Sequence, residues 1–402
     1  MPMFHSTRSQ LANLTRASVV ALAAVGVVAA PLAAESAAIA PRAASQASDT
    51  VYVPALELSQ FRPADTRKEH TIDYSYLDKA LKWFVIPMGR SLRQTAPIAE
   101  QRLGTRRIYG HTSRYRLEGS RVAFSFFDDD IRASLTEYRQ DLERVGSDLD
   151  IPSLPRNEQL AFWLNLHNVA VIEAIAKEYP LSQPAAQTFG LNEAPLDDAK
   201  LVTVAGVDLS PRDIRERIVY PNWTDPKVIY GFWRGEIGGP TLQRLAFSAD
   251  NVDTLLSLSS AEFVNSLRGV EHTGKTLRVS RIYEEAAPYY FEDDAALRAH
   301  LGRHAEESVQ KILAKTERTI INQYEHDIAD LVRGTKDPML DNLWTERGMP
   351  AIRRPVATRP NYAIQRLMKE RAIKINRTLR RGLPVGTVIV GGEEGKPGKE
   401  VE

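Results

Sequence analysis

Apolar side chains recur at helical spacing along the first half of the chain. In the stretch 72–92, one helical face carries Leu77, Ala80, Leu81 and Phe84, and Pro87 is expected to end or kink that helix. A second stripe with the same spacing consists of Ile131, Leu135, Tyr138, Leu142 and Val145. The stretch 156–180 is apolar on most sides, so it predicts a buried central helix that Pro180 stops.

Shorter patterns indicate strands and turns in the second half. "LVTVAGVDL" predicts two short strands around Ala205 and Gly206, and "SPRD" then places Ser210 as the N-cap of a helix. Residues 227–232 have the β-branched and aromatic composition of a buried strand, and a glycine-rich bend follows them. We also predict a strand pair around "KTLRVSRIY" and a helix over 294–315. Together these elements predict an α+β fold, a helix-rich single domain with a small antiparallel or mixed sheet.

The ends of the chain differ in composition from its middle. Arg8 and Arg16 precede a short alanine- and valine-rich run with small residues after it, which predicts a signal peptide over 1–34; a retained anchor is the alternative. Residues 35–51 are expected to be a flexible leader and 52–333 a globular domain. Residues 334–402 are predicted to be a poorly structured tail with one basic helix. We therefore expect a periplasmic or extracellular protein with no transmembrane span after cleavage.

Composition excludes several classes of binding and catalytic site but does not identify the one that is present. The chain has 402 residues, 43% of them hydrophobic and 26% charged, with a formal net charge of +1, which disfavours a general nucleic-acid binder. It has no cysteine, so disulfides, thiolate metal sites and a thiol nucleophile are excluded. We expect no cofactor and no metal. His300 and His304 have a spacing that can chelate zinc, but a solvated helix face is the simpler interpretation.

Two places carry candidate binding residues. Asn165 and Asn168 share a face of the central helix beside Trp163, where they either orient a ligand or tie neighbouring loops to the core. At the glycine-rich bend, Arg234 and the backbone amides of 235–239 form a candidate concavity for a carboxylate or phosphate. The alternative for the bend is a tight turn in which Arg234 pairs with Glu236 or another carboxylate.

Four segments of the chain resemble a known family. "LAFWLNLHNVAVIEAI", "VAGVDLSPRDIRERIV", "DPKVIYGFWRGEIGGPTLQRLAFSADNVDTLL" and "RVSRIY" are similar to successive blocks of the domain of unknown function 547 family. The resemblance covers about 72–320 and implies a divergent member. Where the family usually has a glutamate-histidine pair, this chain has Arg215 and Glu216; Ile229 replaces a frequent histidine, and Arg234 and Gly239 replace cysteines.

These departures from the family pattern favour a binding function over a catalytic one. Without a thiolate or an imidazole at those positions, the chain is expected to be a non-catalytic domain that binds a small anionic ligand or an envelope protein. The alternative is a hydrolase or transferase with a loosely papain-like or transglutaminase-like fold and unidentified catalytic residues, which is an analogy only. A third possibility gives the basic tail helix a role in docking to a membrane or complex. The candidate ligand-binding residues are Asn165, Asn168, Trp163, Glu216, Arg234, Gly235 and Gly238.

Overall fold

The computed structural model describes residues 56–64, 69–98, 110–335 and 362–385. The predicted signal peptide and leader lie outside these residues, as does most of the predicted tail. The α-helices are α1 Ser75–Phe84, α2 Asp129–Asp148, α3 Arg156–Glu178, α4 Tyr220–Asn222, α5 Val252–Val264, α6 Ile282–Tyr290, α7 Asp294–His304, α8 Glu307–Lys315 and α9 Tyr362–Arg380. The strands are β1 Val85–Pro87, β2 Ser120–Val122, β3 Thr188–Phe189, β4 Ala194–Pro195, β5 Val202–Val204, β6 Val207–Leu209, β7 Val270–Thr273, β8 Thr276–Ser280 and β9 Arg318–Gln323.

The core surrounds helix α3, as its apolar sequence predicts. Every residue from 158 to 176 is buried, so this helix has no solvent face along most of its length. Aromatic side chains pack around it, and the Trp163 ring lies 5.1 Å from that of Phe61 and 5.0 Å from that of Phe162. The helix ends at Glu178, two residues before Pro180, which confirms the predicted stop.

The sheets are small and mostly antiparallel. Strands β1 and β2, β3 and β4, and β5 and β6 form two-stranded antiparallel pairs. The three-stranded sheet has the order β7-β8-β9, in which β7 and β8 are antiparallel while β8 and β9 are parallel. A helix-rich chain with a small mixed sheet confirms the predicted α+β fold.

The predicted turn at Ala205 and Gly206 and the predicted helix start at Ser210 are also confirmed. Ala205 and Gly206 both have positive φ, as a two-residue hairpin turn between β5 and β6 requires. The Asp213 amide donates to Ser210 Oγ at 3.1 Å, while the Ser210 amide donates back to Asp213 Oδ2 at 2.8 Å, which is the reciprocal capping box. The helix that follows is a π-helix from Asp213 to Val219, and α4 continues it.

The strand predicted over 227–232 was wrong. Residues Pro226–Gly231 form a 3₁₀ helix, and the Asp225 side chain caps it by accepting from the Lys227 amide at 3.0 Å. Aspartate followed by proline is a helix-start signal, and here it outweighs the β-branched composition of the segment. The helix predicted over 294–315 is divided into α7 and α8 by Ala305 and Glu306.

The basic helix α9 packs on the domain that precedes it. Glu370 Oε2 accepts from the buried Arg116 Nε at 2.7 Å, and Lys374 Nζ donates to the carbonyl oxygens of Gly89 and Leu117. Leu367 is buried beneath the helix. Several polar groups of α9 are thus bound within the molecule, while docking to a membrane or complex stays a prediction. None of the helices within the described ranges is both long enough and apolar enough to cross a membrane.

Candidate functional site

A cleft opens where the parallel strands β8 and β9 end. Since parallel strands end at the same edge of a sheet, the residues that follow them, Arg281 and Tyr324, come together there. The Arg281 amide donates to the Gln323 carbonyl at 3.0 Å and fixes this junction. The glycine-rich bend lies alongside, because the Ile237 amide donates to the Asp327 carbonyl at 2.8 Å. The bend and the strand ends therefore form adjoining parts of the cleft.

The cleft has a volume of about 380 Å³, within the range of small-molecule sites. Its charged and aromatic lining consists of Asp197, Asp198, Arg212, Arg234, Glu236, Arg281, Glu284, Glu285, Tyr324 and His326. Its apolar lining consists of Ala185, Pro195, Leu196 and Ile282. Among these residues there is no serine, threonine or cysteine, so the described cleft lacks a hydroxyl or thiol nucleophile of the common kinds.

Two guanidinium groups and two carboxylates form an ion network at the base of the cleft. Arg215 is fully buried and binds Glu285 with Nε at 2.7 Å and Nη2 at 3.0 Å. It also contacts Asp197 Oδ2 at 3.0 Å. Arg234 donates through both Nη atoms to Glu285 at 2.9 Å. Bidentate pairing of this kind fixes the orientation of the Arg234 guanidinium in the cleft.

The network sets the protonation of its members. Burial alone would raise the pKa of Glu285, but Arg215 and Arg234 hold that pKa well below its ordinary value. Burial likewise opposes ionisation of Asp197, and the same two arginines keep its pKa low. Both carboxylates are therefore ionised at neutral pH, and the arginines that face them stay charged.

His167 joins this network as a neutral acceptor. Its Nδ1 lies 3.1 Å from Asn168 Oδ1, which also accepts from the Trp233 amide at 2.9 Å. Because an amide oxygen only accepts, we assign the proton to Nδ1, and Nε2 then accepts from Arg215 Nη1 at 3.1 Å. Burial, together with the Arg215 charge, lowers the pKa of His167 to about 3. His167 is therefore a structural partner of Arg215 and not a proton shuttle at neutral pH.

The lowered pKa predicts a specific acid sensitivity. Between pH 6.5 and about 3 the unfolded chain binds a proton at His167 that the folded chain does not, so stability falls as pH falls through that window. We expect a contribution of up to about 1.4 kcal/mol per pH unit, which His167→Gln removes because glutamine still accepts from Arg215. Urea unfolding at several pH values in both proteins measures the difference, and equal slopes would contradict the assignment.

A second ionisable pair lies on the wall of the cleft. His326 Nδ1 is 3.3 Å from Glu236 Oε1, and this contact raises the pKa of His326. The Glu236 side chain is buried, and burial raises its pKa although His326 partly offsets the effect. The Tyr324 hydroxyl lies in the same group, and burial beside Glu236 raises its pKa. A carboxylate that orients a half-exposed imidazole is an arrangement suited to proton transfer near neutral pH.

The residues predicted on helix α3 lie away from the cleft. Asn165 exchanges two hydrogen bonds with the Phe247 backbone, at 2.8 and 3.0 Å, and Asn168 Nδ2 donates to the Gly231 carbonyl at 3.0 Å. Both asparagines line a separate cavity of about 10 Å³, which is about the room that one water needs. Trp163 is fully buried in the core. These contacts are those expected if the asparagines tie neighbouring loops to the helix.

Of the other predicted residues, one lines the cleft and the rest lie beside it without lining it. Arg234 lines the cleft, whereas Glu216 is buried behind it, with Oε1 3.5 Å from Arg212 Nη1. Gly235 has φ +78°, and a Cβ there would overlap the Ile175 side chain. The Gly238 amide donates to the Glu325 carbonyl at 2.9 Å, so it is used within the backbone. Of the seven candidates, the structure therefore places one, Arg234, on the cleft surface.

The histidines of helix α7 do not form a solvated face. His300 is buried, and its Nε2 lies 2.8 Å from the Tyr230 hydroxyl. His304 Nδ1 lies 3.2 Å from Ser260 Oγ. The expected solvated face was wrong because α7 packs against α5, which turns both rings inward. Within the described ranges, no group of three or more potential ligand side chains is placed to hold a metal ion.

Sequence reasoning missed most of the residues that line the cleft. Asp197, Glu285, Tyr324 and His326 are single polar residues without a local motif. The one signal was position: Glu285 follows the fourth family-like segment, "RVSRIY", by two residues. Only the pairing of distant backbone segments brings these side chains to Arg234.

Sequence comparison agrees with the resemblance drawn from the four segments. Residues 151–264 match the sequence model of a family described as "Protein of unknown function, DUF547". Comparison of the chain with curated proteins and with solved structures finds no match, so the papain-like or transglutaminase-like analogy stays a prediction. The matched residues include Asp197, Arg234 and Glu236, while Glu285 and His326 lie beyond them. Residues 151–264 therefore carry the sequence pattern of the DUF547 family of proteins of unknown function, within a chain that has no cysteine.

Proposed function

We propose that the protein is an exported ligand-binding protein that holds a small charged molecule in the cleft beside Arg234 and leaves it chemically unchanged. The observation that carries the proposal is the cleft itself, about 380 Å³ in volume and lined by charged side chains around an apolar patch. The ion network behind it holds Arg234 in one orientation before any ligand arrives. Such preorganisation lowers the entropy cost of binding.

A function without a covalent intermediate is supported by what lines the cleft. The described lining offers no serine, threonine or cysteine, and Arg215 and Glu216 occupy the place where the family that the chain resembles usually has a glutamate-histidine pair. Export is supported by the apolar run and small residues of 17–34. Recovery of a mature chain that begins near residue 35 would support export, and an intact N-terminus on secreted material would count against cleavage.

A second candidate function rests on His326 and Glu236. Their contact of 3.3 Å at the cleft wall would let the imidazole activate a water molecule, as in a hydrolase with no covalent intermediate. The water would lose a proton to His326 as its oxygen bonds to an acyl carbon of the ligand. His326 would then return that proton to the alcohol or amine that leaves as the acyl bond breaks. A compound that is changed by the native protein, but not by His326→Gln, would favour this function over simple binding.

The binding proposal predicts ligand stabilisation that depends on the cleft. In a thermal-shift screen of small carboxylates, phosphates and amino acids, a true ligand raises Tm. At a ligand concentration of a hundred times Kd, the free energy of unfolding should rise by about 2.7 kcal/mol. Arg281→Gln should weaken that ligand about tenfold or more by removing a charge from the cleft rim. Arg281 is preferred to Arg234 for this test because its side chain is 56% exposed and not part of the buried network.

Arg144→Gln provides a matched control. Arg144 is 66% exposed and pairs with Asp141 at the same three-residue spacing as Arg281 with Glu284, in the reverse order, but it lies outside the cleft. We expect it to bind the ligand as the native protein does. A ligand that stabilises all three proteins equally would overturn the assignment of the cleft.

A further inference from the structure

The exposed charges of the cleft occur as opposite pairs. Arg281 Nε lies 3.5 Å from Glu284 Oε2, and Arg212 Nε lies 2.7 Å from Asp198 Oδ1. The four side chains are between 37% and 56% exposed. Exposed ion pairs contribute little to stability, so a ligand group can replace one member of such a pair at little cost in folding free energy. The rim thus offers both a cation and an anion to a bound molecule.

The charges deeper in the cleft are already committed to one another. Arg234 is held by Glu285, and Arg215 behind it binds both Glu285 and Asp197. The lining has three arginines and one histidine against five carboxylates, so it carries no excess of positive charge. A ligand with only negative charge would meet more repulsion than attraction. The cleft therefore suits a molecule that presents charges of both signs.

The volume limits the size of that molecule. At about 380 Å³ the cleft lies near the lower end of the range found for small-molecule sites, so it favours a small ligand. Leu196 and Ile282 supply an apolar wall for carbon atoms between the charged groups. These limits fit a free amino acid or a short peptide.

We infer that the cleft binds a small zwitterion of the amino-acid or dipeptide class, with its carboxylate at Arg281 and its ammonium at Glu284. This pair is chosen because its separation of 3.5 Å is the longer of the two rim contacts and Arg281 is the most exposed of the four side chains. The inference rests on the proposed binding function and narrows its ligand from a small charged molecule to a zwitterion.

The test uses three versions of one dipeptide with the full chain. Isothermal titration calorimetry compares L-alanyl-L-alanine with its N-acetyl form, which lacks the ammonium, and with its C-terminal amide, which lacks the carboxylate. We expect the free dipeptide to bind at least about tenfold more tightly than either blocked form. Equal affinity of the free and N-acetyl forms would overturn the inference and leave an anion-binding function standing.

Single substitutions then assign each end of the ligand. Arg281→Gln should reduce the affinity for the free dipeptide to that for the amide, without changing the affinity for the amide. Glu284→Gln should likewise reduce the affinity for the free dipeptide to that for the N-acetyl form, without changing the affinity for the N-acetyl form. Arg144→Gln should leave all of these affinities unchanged. Both rim residues are exposed, so the folded state is expected to persist. No binding by any dipeptide form up to about 1 mM would overturn the inference, while the wider ligand screen decides the proposed function separately.

Discussion

Arg215→Met is expected to lower the free energy of unfolding by about 3–5 kcal/mol, because it removes one partner from a buried ion network. Arg215 has no exposed surface, and it pairs with both Glu285 and Asp197. Without it, those two carboxylates share the single guanidinium of Arg234, and His167 Nε2 loses its donor. Methionine keeps much of the side-chain volume, so lost charge pairing, and not a cavity, dominates the effect. Urea unfolding at neutral pH measures it.

Two further variants make the cause specific. Arg217→Met, in the same helical segment, removes a guanidinium that is 32% exposed, and its partner Asp213 keeps Lys200, so it should cost no more than about 1 kcal/mol. Adding Glu285→Gln to Arg215→Met should recover part of the lost stability, since a buried charge without a full partner is then removed. If Arg215→Met is as stable as the native protein, the network does not have the role assigned to it.

Gly238→Ala is expected to destabilise the protein by about 3 kcal/mol, at the upper end of the usual cost of overpacking. An added Cβ would lie well inside van der Waals contact of the Glu325 amide nitrogen and 2.9 Å from the Glu325 carbonyl oxygen. These are backbone atoms, and the Gly238 amide is bonded to that same carbonyl, so the segment cannot move away cheaply. Because this segment carries Tyr324 and His326, ligand binding should weaken as well.

Gly302→Ala is the matched control for this prediction. Gly302 lies in helix α7, where the nearest atom to an added Cβ is 4.0 Å away. Alanine should therefore stabilise the helix there by about 0.5–1 kcal/mol. Opposite signs for the two glycine substitutions in urea unfolding would support the close approach at Gly238, and similar small effects would contradict it.

The parts of the fold that local patterns determine could be predicted from the sequence. Helix α3 is apolar on most sides, as a helix buried along most of its length requires, and the capping box at Ser210 depends on residues three apart. The segment at 227–232 could not be separated from a strand by composition, since its helical start depends on the Asp225 side chain. Local signals decide such elements only when they agree with one another.

The cleft could not be predicted in the same way. Arg234 was identified because a glycine-rich bend surrounds it, but its partner Glu285 is 51 residues further along the chain. His326 reaches Glu236 across 90 residues, and only the backbone pairing of 325–329 with the bend brings the two together. Contacts of this sequence separation leave no periodic pattern, and thus a single sequence does not reveal them.

The cleft is assembled from both sides of the boundary at residue 264, where the match to the family ends. A fragment cut at the limits of that match would retain Arg215 and Arg234 but leave behind Glu285, on which both depend. Arg215 and Arg234 would then share Asp197 as their carboxylate partner, in an interior where water does not solvate the unpaired charge. The smallest piece worth purifying therefore extends at least through His326, and failure of a shorter piece to bind a ligand would say little about the whole chain.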